Sequence, residues 1–98
     1  MELEFSGEVI EWRGPAPYVF VALPENEAGV VEDHKRLLTY GWGAIPVTAR
    51  LGDTEFTTSL FPKDGGYLLP LKDAVRRAEG VEVGATVSVT LSLQVAAG

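Results

Sequence analysis

Side chains that could perform acid–base or nucleophilic chemistry are few and scattered along this chain. His34 is the only histidine, and one imidazole cannot supply a histidine-rich metal site. Ser59 stands in the sequence TTSLF, which lacks the glycines of a nucleophile elbow, and only His34 is available as its base. The absence of cysteine removes disulfides and thiolate metal sites. We therefore assign no catalytic, cofactor-binding or metal-binding residue.

Two further motifs resemble sites but have simpler structural explanations. Glu2, Glu4, Glu8 and Glu11 could supply a pair of catalytic carboxylates. Their spacing, however, follows the solvent face of a β-strand. The sequence DGG at residues 64–66 lacks the Lys-Ser/Thr of a phosphate-binding loop, so it indicates a turn.

Aromatic residues offer a candidate binding site. Trp12 precedes a loop rich in glycine and proline, and Trp42 stands between Gly41 and Gly43. Large flat side chains at such positions, together with Tyr67, can line one concavity for a small or peptidic ligand. The alternative is that the tryptophans close the open ends of a small barrel.

Basic residues near the C-terminal third offer a second candidate site, formed by Lys63, Lys72, Arg76 and Arg77. The alternative is a solvated helix face in which Asp73 and Arg77 form an ion pair, which contributes only a few tenths of a kcal/mol.

The elements that would position these residues are clearest between residues 64 and 93. Pro70 suits a first helical position, and Leu71, Ala74, Val75 and Ala78 form an apolar stripe with Arg76, Arg77 and Glu79 facing outward. Gly80 then suits a left-handed helix end, so we predict a helix over residues 70–79. After Gly84, strict alternation predicts a half-buried strand over residues 85–93.

The first two-thirds of the chain predict several strands and one helix. Residues 2–10 alternate, with a phase slip at Val9 and Ile10 that suggests a bulge or bend. Residues 18–23 form a continuous apolar run, typical of a strand covered on both faces. Residues 25–38 predict a helix in which Ala28, Val31, Leu38 and either Val30 or Leu37 face inward. Residues 44–51 and 54–61 flank a Gly52-Asp53 hairpin turn. Pro46 favours an edge or a bulged position for the first hairpin strand. From these patterns we predict a core that includes Phe5, Val9, Phe20, Val47, Phe56, Leu60, Leu69, Val75, Val87, Val89 and Leu91.

Charge is distributed unevenly over the 98 residues. The formal net charge is −6; residues 1–33 hold eight acids and one base, whereas residues 34–98 hold seven bases and six acids. Nucleic-acid binders cluster cations against phosphate, so this balance disfavours nucleic acid as a partner. No apolar run approaches membrane-spanning length, and the N-terminus lacks the layout of a signal peptide, so we expect a cytoplasmic protein without a membrane partner.

Two resemblances narrow the architecture. The pattern from Tyr67 to Thr90 resembles the half-barrel unit of the AbrB/MazE swapped-hairpin proteins, which are dimeric DNA-binding regulators. A longer series of motifs resembles the domain-of-unknown-function family nineteen-zero-five: GWG at 41–43, IPV at 45–47, TSLFP at 58–62, YLLPLK at 67–72 and VR at 75–76. That resemblance implies a small double-split β-barrel and assigns no activity.

We predict a mainly β fold, in which one small double-split β-barrel of six or seven strands and two short helices spans residues 1–98. We expect a non-catalytic module that binds a small molecule or a protein, without a cofactor, as a monomer or weak homodimer. The first alternative is an AbrB-like dimeric DNA-binding regulator, and the second is a small enzyme with a Trp-lined pocket.

Overall fold

The computed structural model describes residues 1–12, 18–38 and 45–93, except the side chains of residues 35–38. The described strands are β1 (Glu2–Trp12), β2 (Tyr18–Ala22), β3 (Ile45–Leu51), β4 (Thr54–Lys63), β5 (Gly66–Pro70) and β6 (Thr86–Leu93). The helices are α1 (Glu25–Leu38), between β2 and β3, and α2 (Asp73–Glu79), between β5 and β6.

The six strands form a closed barrel in the order β1-β2-β5-β4-β3-β6, with antiparallel pairing throughout. Two long strands make closure possible because each changes partner along its length. Residues 2–8 of β1 pair with β6 and residues 9–12 pair with β2. Residues 54–60 of β4 pair with β3 and residues 61–63 pair with β5. The predicted mainly β barrel with two helices is confirmed, and one chain completes it.

This change of partner also explains the phase slip in β1. Residues 2–8 and 9–12 each pair in unbroken register, so β1 itself holds no inserted residue. Opposite Val9, however, the Val9 amide donates to the Ala85 carbonyl and the Gly84 amide donates to the Val9 carbonyl, both at 2.8 Å, with φ of 94° at Gly84; this is the pattern of a β-bulge in the facing segment. Val9 is fully buried inside the barrel, and Ile10 and Trp12 follow on the outer face. Where β1 pairs with β2, the outer face of the barrel therefore carries apolar residues as well.

The barrel interior is filled by alternate residues of the strands and by the inner faces of both helices. Leu60 and Leu91 are fully buried, and full burial of such a side chain contributes about 2 kcal/mol. The predicted core residues found in this interior cluster are Phe5, Val9, Val47, Phe56, Leu60, Leu69, Val75, Val89 and Leu91. Val87 is only half-buried against the cluster. Phe20 is buried, but it lies outside the interior cluster.

Helix α1 has the predicted bounds, and Ala28 and Val31 are its buried residues among those with described side chains. The helix is tied to β5 because the Tyr67 hydroxyl donates to Glu32 Oε2 at 2.7 Å. The predicted inward positions at residues 37 and 38 lie outside the described side chains.

Helix α2 is shorter than predicted and is rotated about its axis. Pro70 ends β5, and the Leu71 amide donates to the Val19 carbonyl at 2.9 Å, so the chain stays extended before the helix. The helix begins at Asp73, after the extended N-cap residue Lys72. Its predicted apolar stripe is wrong beyond Leu71 and Val75.

The rotation exposes two alanines and brings two charged residues toward the barrel. Ala74 and Ala78 are exposed, while Arg76 and Glu79 are half-buried. Gly80 ends the helix as predicted, with φ of 62°, and the Val81 amide donates to the Arg76 carbonyl at 2.9 Å. The half-buried sides of Arg76 and Glu79 therefore become available for contacts with the strands.

The β3–β4 hairpin forms around Gly52 and Asp53 as predicted. The predicted edge position of β3 is wrong, because β3 pairs with both β4 and β6. Pro46 is compatible with this position because, among the described residues, the ladder with β6 begins at Val47. Strand β4 continues through Pro62 to Lys63, so the following turn is confined to Asp64 and Gly65, both with positive φ.

Candidate functional site

The strongest candidate site lies on the outer face of the half-barrel formed by β1, β2, β5 and β4. Outer positions follow from alternation, because Phe20 stands between Val19 and Val21, and both valines belong to the interior cluster. The same argument places Phe61, Leu68 and Pro70 outside. Strand pairing then brings these residues together: Phe20 pairs with Pro70, Phe61 with Leu68, and Trp12 with Tyr18.

Aromatic rings form the floor and the walls of this face. The Phe20 ring lies 6.1 Å from Tyr18 and 6.5 Å from Phe61, the latter edge-to-face. These separations fall in the favourable range for aromatic pairs. Phe20 is 5% exposed, whereas Tyr18 is 55% and Phe61 48% exposed. Phe20 is thus a buried floor between two half-exposed walls.

A cleft of about 1000 Å³ opens over these rings. Its further walls come from the ends of β1 and β4 and from the segment that leads into α2. This volume lies at the upper end of the range of roughly 300–1000 Å³ that small-molecule sites occupy. We call this concavity the outer cleft.

The outer cleft has a charged rim. Lys63 places its ammonium 4.6 Å from the centroid of the Trp12 ring, within cation–π range. Lys72 and Arg76 line the cleft from the start of α2. Arg76 Nη1 lies 3.7 Å from Asp73 Oδ1, so the ion pair on this helix joins Asp73 to Arg76 rather than to Arg77 as predicted. Glu11 and Asp73 supply the acidic groups of the lining.

The predicted aromatic site is divided by the structure. Trp12 lines the outer cleft and is 56% exposed. Tyr67 belongs to the interior cluster, is 5% exposed, and does not line the cleft. Trp42 lies outside the described residues.

Tyr67 has an electrostatic environment of its own. Burial raises the pKa of Tyr67 to about 12 from its ordinary 10.0, and the hydrogen bond to Glu32 and the charge of Glu32 act in the same direction. Burial, the hydrogen bond and the nearby negative charge all disfavour the phenolate form of Tyr67. The neutral phenol is therefore the form that holds α1 against β5.

The predicted basic patch is also divided. Lys63, Lys72 and Arg76 line the outer cleft, whereas Arg77 is exposed on α2 and is not part of the lining. The structure thus joins parts of the two predicted sites, because Trp12 and three of the four basic residues share a single cleft. Tyr18, Phe20 and Phe61 were not predicted as site residues. The apolar run at residues 18–23 was the available signal, since an apolar outer face needs a cover.

Comparison with known families agrees with this architecture. The family described as Domain of unknown function (DUF1905) matches residues 5–91, which is most of the chain and nearly the whole described barrel. The chain belongs to this family. No curated protein matches the sequence.

The DUF1905 domain offers little for metal or nucleophilic chemistry among its described residues. Within residues 1–12, 18–38 and 45–93, no three His, Asp or Glu side chains are grouped so that they could hold a metal ion. His34 is exposed on α1, and its Nδ1 donates to the Val30 carbonyl at 2.8 Å. Ser59 is half-buried in β4 and is not part of the outer cleft. In the described part of the chain, no helix has both the length and the apolar character needed to cross a bilayer.

Proposed function

We propose that this DUF1905 domain is a non-catalytic binding module that holds a small apolar molecule in the outer cleft. The observation that carries this proposal is the aromatic arrangement, in which the buried Phe20 lies between the half-exposed rings of Tyr18 and Phe61. Exposed rings concentrated on one face leave apolar area in water, and a bound ligand would remove that area at about 25 cal/mol per Å².

The composition of the lining supports binding rather than catalysis. Among the described residues that line the cleft there is no serine, cysteine or histidine. The lining contains aromatic rings, two prolines, aliphatic side chains and a few charges, which is the usual make-up of a binding pocket. A small enzyme with a Trp-lined pocket therefore receives less support than a binding module.

The proposal is tested with a neutral probe, 2-naphthamide, by ligand-observed NMR titration. Trp12→Ala removes a cleft wall, and Val83→Ala removes a comparably exposed hydrophobic side chain outside the lining. We expect saturable binding that weakens at least about fivefold in Trp12→Ala, through lost apolar contact area. Val83→Ala should bind like the wild type, and both variants should remain folded at the temperature of the titration, as circular dichroism would show. No saturable binding by the wild type, or equal weakening in both variants, would refute the proposal.

A protein partner is the second candidate, favoured by the half-exposed rings of Trp12, Tyr18 and Phe61. Aromatic residues are enriched in protein interfaces, where they act as anchors. This candidate would be favoured if the wild-type domain bound a protein partner but not 2-naphthamide, and if Phe61→Ala abolished binding of that protein.

An AbrB-like DNA-binding regulator receives less support. The barrel closes within one chain, so β5 and β6, the strands of the segment that resembles the AbrB unit, already have pairing partners without a second copy. We propose a monomer or weak homodimer without appreciable affinity for duplex DNA, because the chain carries −6 and the cations of the lining stand beside Glu11 and Asp73. A polarisation titration with mixed-sequence duplex at about 0.15 M salt tests this. Micromolar binding that is lost when Arg76→Ala and Arg77→Ala are combined would reverse the ranking.

A further inference from the structure

We propose that the ligand of the outer cleft is a small aromatic or aliphatic monoanion, with its carboxylate at the α2 edge beside Lys72 and Arg76 and its apolar body over Phe20. This inference rests on the binding function proposed above and adds the chemical class of the ligand.

The first observation is the local sign of charge. The described lining contains three cations, Lys63, Lys72 and Arg76, and two carboxylates, Glu11 and Asp73, which leaves one net positive charge. The whole chain carries −6, so the cleft is a positive region on an acidic protein. A concave site with low-dielectric aromatic walls concentrates the potential of its charges and so attracts a ligand of opposite sign.

The second observation concerns Arg76. Its Nε is buried and has no hydrogen-bond partner among the described residues, while Nη1 contacts Asp73 at the long distance of 3.7 Å. Buried N–H donors are nearly always paired, because an unpaired donor carries its full desolvation cost. The planar guanidinium offers parallel N–H groups that match the two oxygens of a carboxylate. Nε itself is closed off from solvent, whereas the Arg76 side chain as a whole is 29% exposed, so the terminal N–H groups are the donors that an anion in the cleft can reach.

The third observation is the state of the two lysines. Lys72 precedes Arg76 by one helical turn, is exposed, and forms no ion pair within the described residues. Lys63 stands over the Trp12 ring, with its ammonium 4.6 Å from the ring centroid. The cation that is available to an anion beside Arg76 is therefore Lys72, whereas Lys63 contacts the aromatic wall.

The charges of the cleft lining favour a ligand with one negative charge over a ligand with two. Glu11 and Asp73 line the same cleft, and a second ligand charge would meet these carboxylates after the net positive charge is neutralised. A carboxylate attached to an apolar body matches the cleft better than a phosphate monoester. Because Glu11 and Asp73 also offset part of the positive charge of the lining, the preference for a monoanion over a neutral analogue should be moderate.

A series of probes with one apolar body and different charge tests the inference. The probes are 2-naphthoate, 2-naphthamide, 2-naphthyl phosphate and 2-naphthylmethylammonium, titrated at constant ionic strength. We expect 2-naphthoate to bind about five- to tenfold more tightly than 2-naphthamide, as one charge-assisted contact at a partly exposed site allows. The ammonium should bind most weakly, and the phosphate should bind no more tightly than the carboxylate.

Matched variants locate the preference on α2. Lys72→Met and Arg76→Met each remove one positive charge from the lining, and Arg77→Met removes one from the same helix outside the lining. We expect the first two to reduce the naphthoate-to-naphthamide ratio toward one, and Arg77→Met to leave it unchanged. Lys72 is exposed, so Lys72→Met keeps the test valid if Arg76→Met does not fold.

The outcomes separate this inference from the proposed function. Equal affinity for naphthoate and naphthamide overturns the monoanion inference while the binding function stands. So does a fall in the naphthoate-to-naphthamide ratio that is as large in Arg77→Met as in Lys72→Met. Tighter binding of the phosphate assigns the cleft to a dianion and also overturns the inference. Absence of binding by all four probes overturns both proposals.

Discussion

Lys63 and Trp12 contact each other at the rim of the outer cleft, with 4.6 Å between the ammonium nitrogen and the ring centroid. The two residues belong to β4 and β1, and β2 and β5 lie between those strands in the barrel order. Their side chains therefore span the outer cleft. A cation–π contact at an exposed site contributes about 0.5–1 kcal/mol, enough to bias the position of the indole.

Loss of this contact should increase the solvent exposure of Trp12. In a Trp42→Phe background, Trp12 is the only indole of the chain. We expect Lys63→Ala in that background to increase acrylamide quenching of the fluorescence, because the lysine stem and ammonium no longer cover the ring. Lys72→Ala is the control, since Lys72 lines the cleft without contacting the Trp12 ring. Equal quenching in the two variants would show that Lys63 does not hold the indole.

Tyr67→Phe should destabilise the barrel and change its response to alkaline pH. The variant loses the 2.7 Å bond to Glu32, and we expect a loss of about 1 kcal/mol in the free energy of unfolding. Tyr18→Phe is the control, because the described structure gives its hydroxyl no hydrogen bond and Tyr18 is half-exposed.

The alkaline response follows from the sign of the pKa shift. The folded pKa of Tyr67 is raised to about 12 from 10.0, so the unfolded state loses the proton first. The stabilisation is present below pH 10 and is lost as the pH rises through 12. Urea denaturation between these limits should show the difference between wild type and Tyr67→Phe shrinking. A constant difference would contradict the assigned environment.

Glu79 should couple the end of α2 to the β3–β4 hairpin. Its Oε2 accepts from the Thr54 hydroxyl at 2.6 Å, and its Oε1 accepts from the Asp53 amide at 3.4 Å. A double-mutant cycle with Glu79→Ala and Thr54→Val should give a coupling free energy of about 1 kcal/mol by chemical denaturation. Glu82→Ala, an exposed glutamate beyond the helix, should give no coupling with Thr54→Val. Additive effects of the first pair would mean that the contact does not stabilise the fold.

Gly52→Ala should destabilise the domain more than Gly80→Ala. Both glycines have left-handed backbones, with φ of 60° and 62°, so the backbone strain of an alanine, about 1 kcal/mol, is similar. A Cβ at residue 52 would overlap the Glu79 carboxylate, whereas a Cβ at residue 80 meets nothing within 4 Å. Thermal unfolding should therefore show a larger drop for Gly52→Ala. A second Glu79→Ala substitution should remove the excess, and an excess that persists would contradict the assigned contact.

Local signals in the sequence predicted the elements well where one residue fixes the backbone. Gly80 ended α2 as expected, and alternation after Gly84 predicted the inward residues of β6. Pro70 misled because its missing N–H suits either a first helical turn or a strand position, and the bond from Leu71 to Val19 decides for the strand. That bond joins residues distant in sequence, so no local pattern reveals it.

The outer cleft could be predicted only in part, for the same reason. Trp12 and the cations of the lining were identified by type, but their grouping depends on which strands are neighbours. Phe20 and Phe61 meet because β5 pairs with both β2 and β4. A continuous apolar run indicates a covered outer face but does not identify what covers it. Here Phe61, near the end of β4, packs against Phe20, and the outer cleft opens over both rings.

Amide chemical-shift mapping of the wild-type domain during titration with 2-naphthoate shows directly which residues the ligand contacts. A ligand in the outer cleft should cause saturable shifts in residues that line it, including Tyr18, Phe61, Lys72 and Arg76. Shifts should be small at residues on the opposite half-barrel, such as Thr48 and Thr90. Saturable shifts confined to β3 and β6, or no saturable shift anywhere, would contradict the assignment of the outer cleft as the binding site.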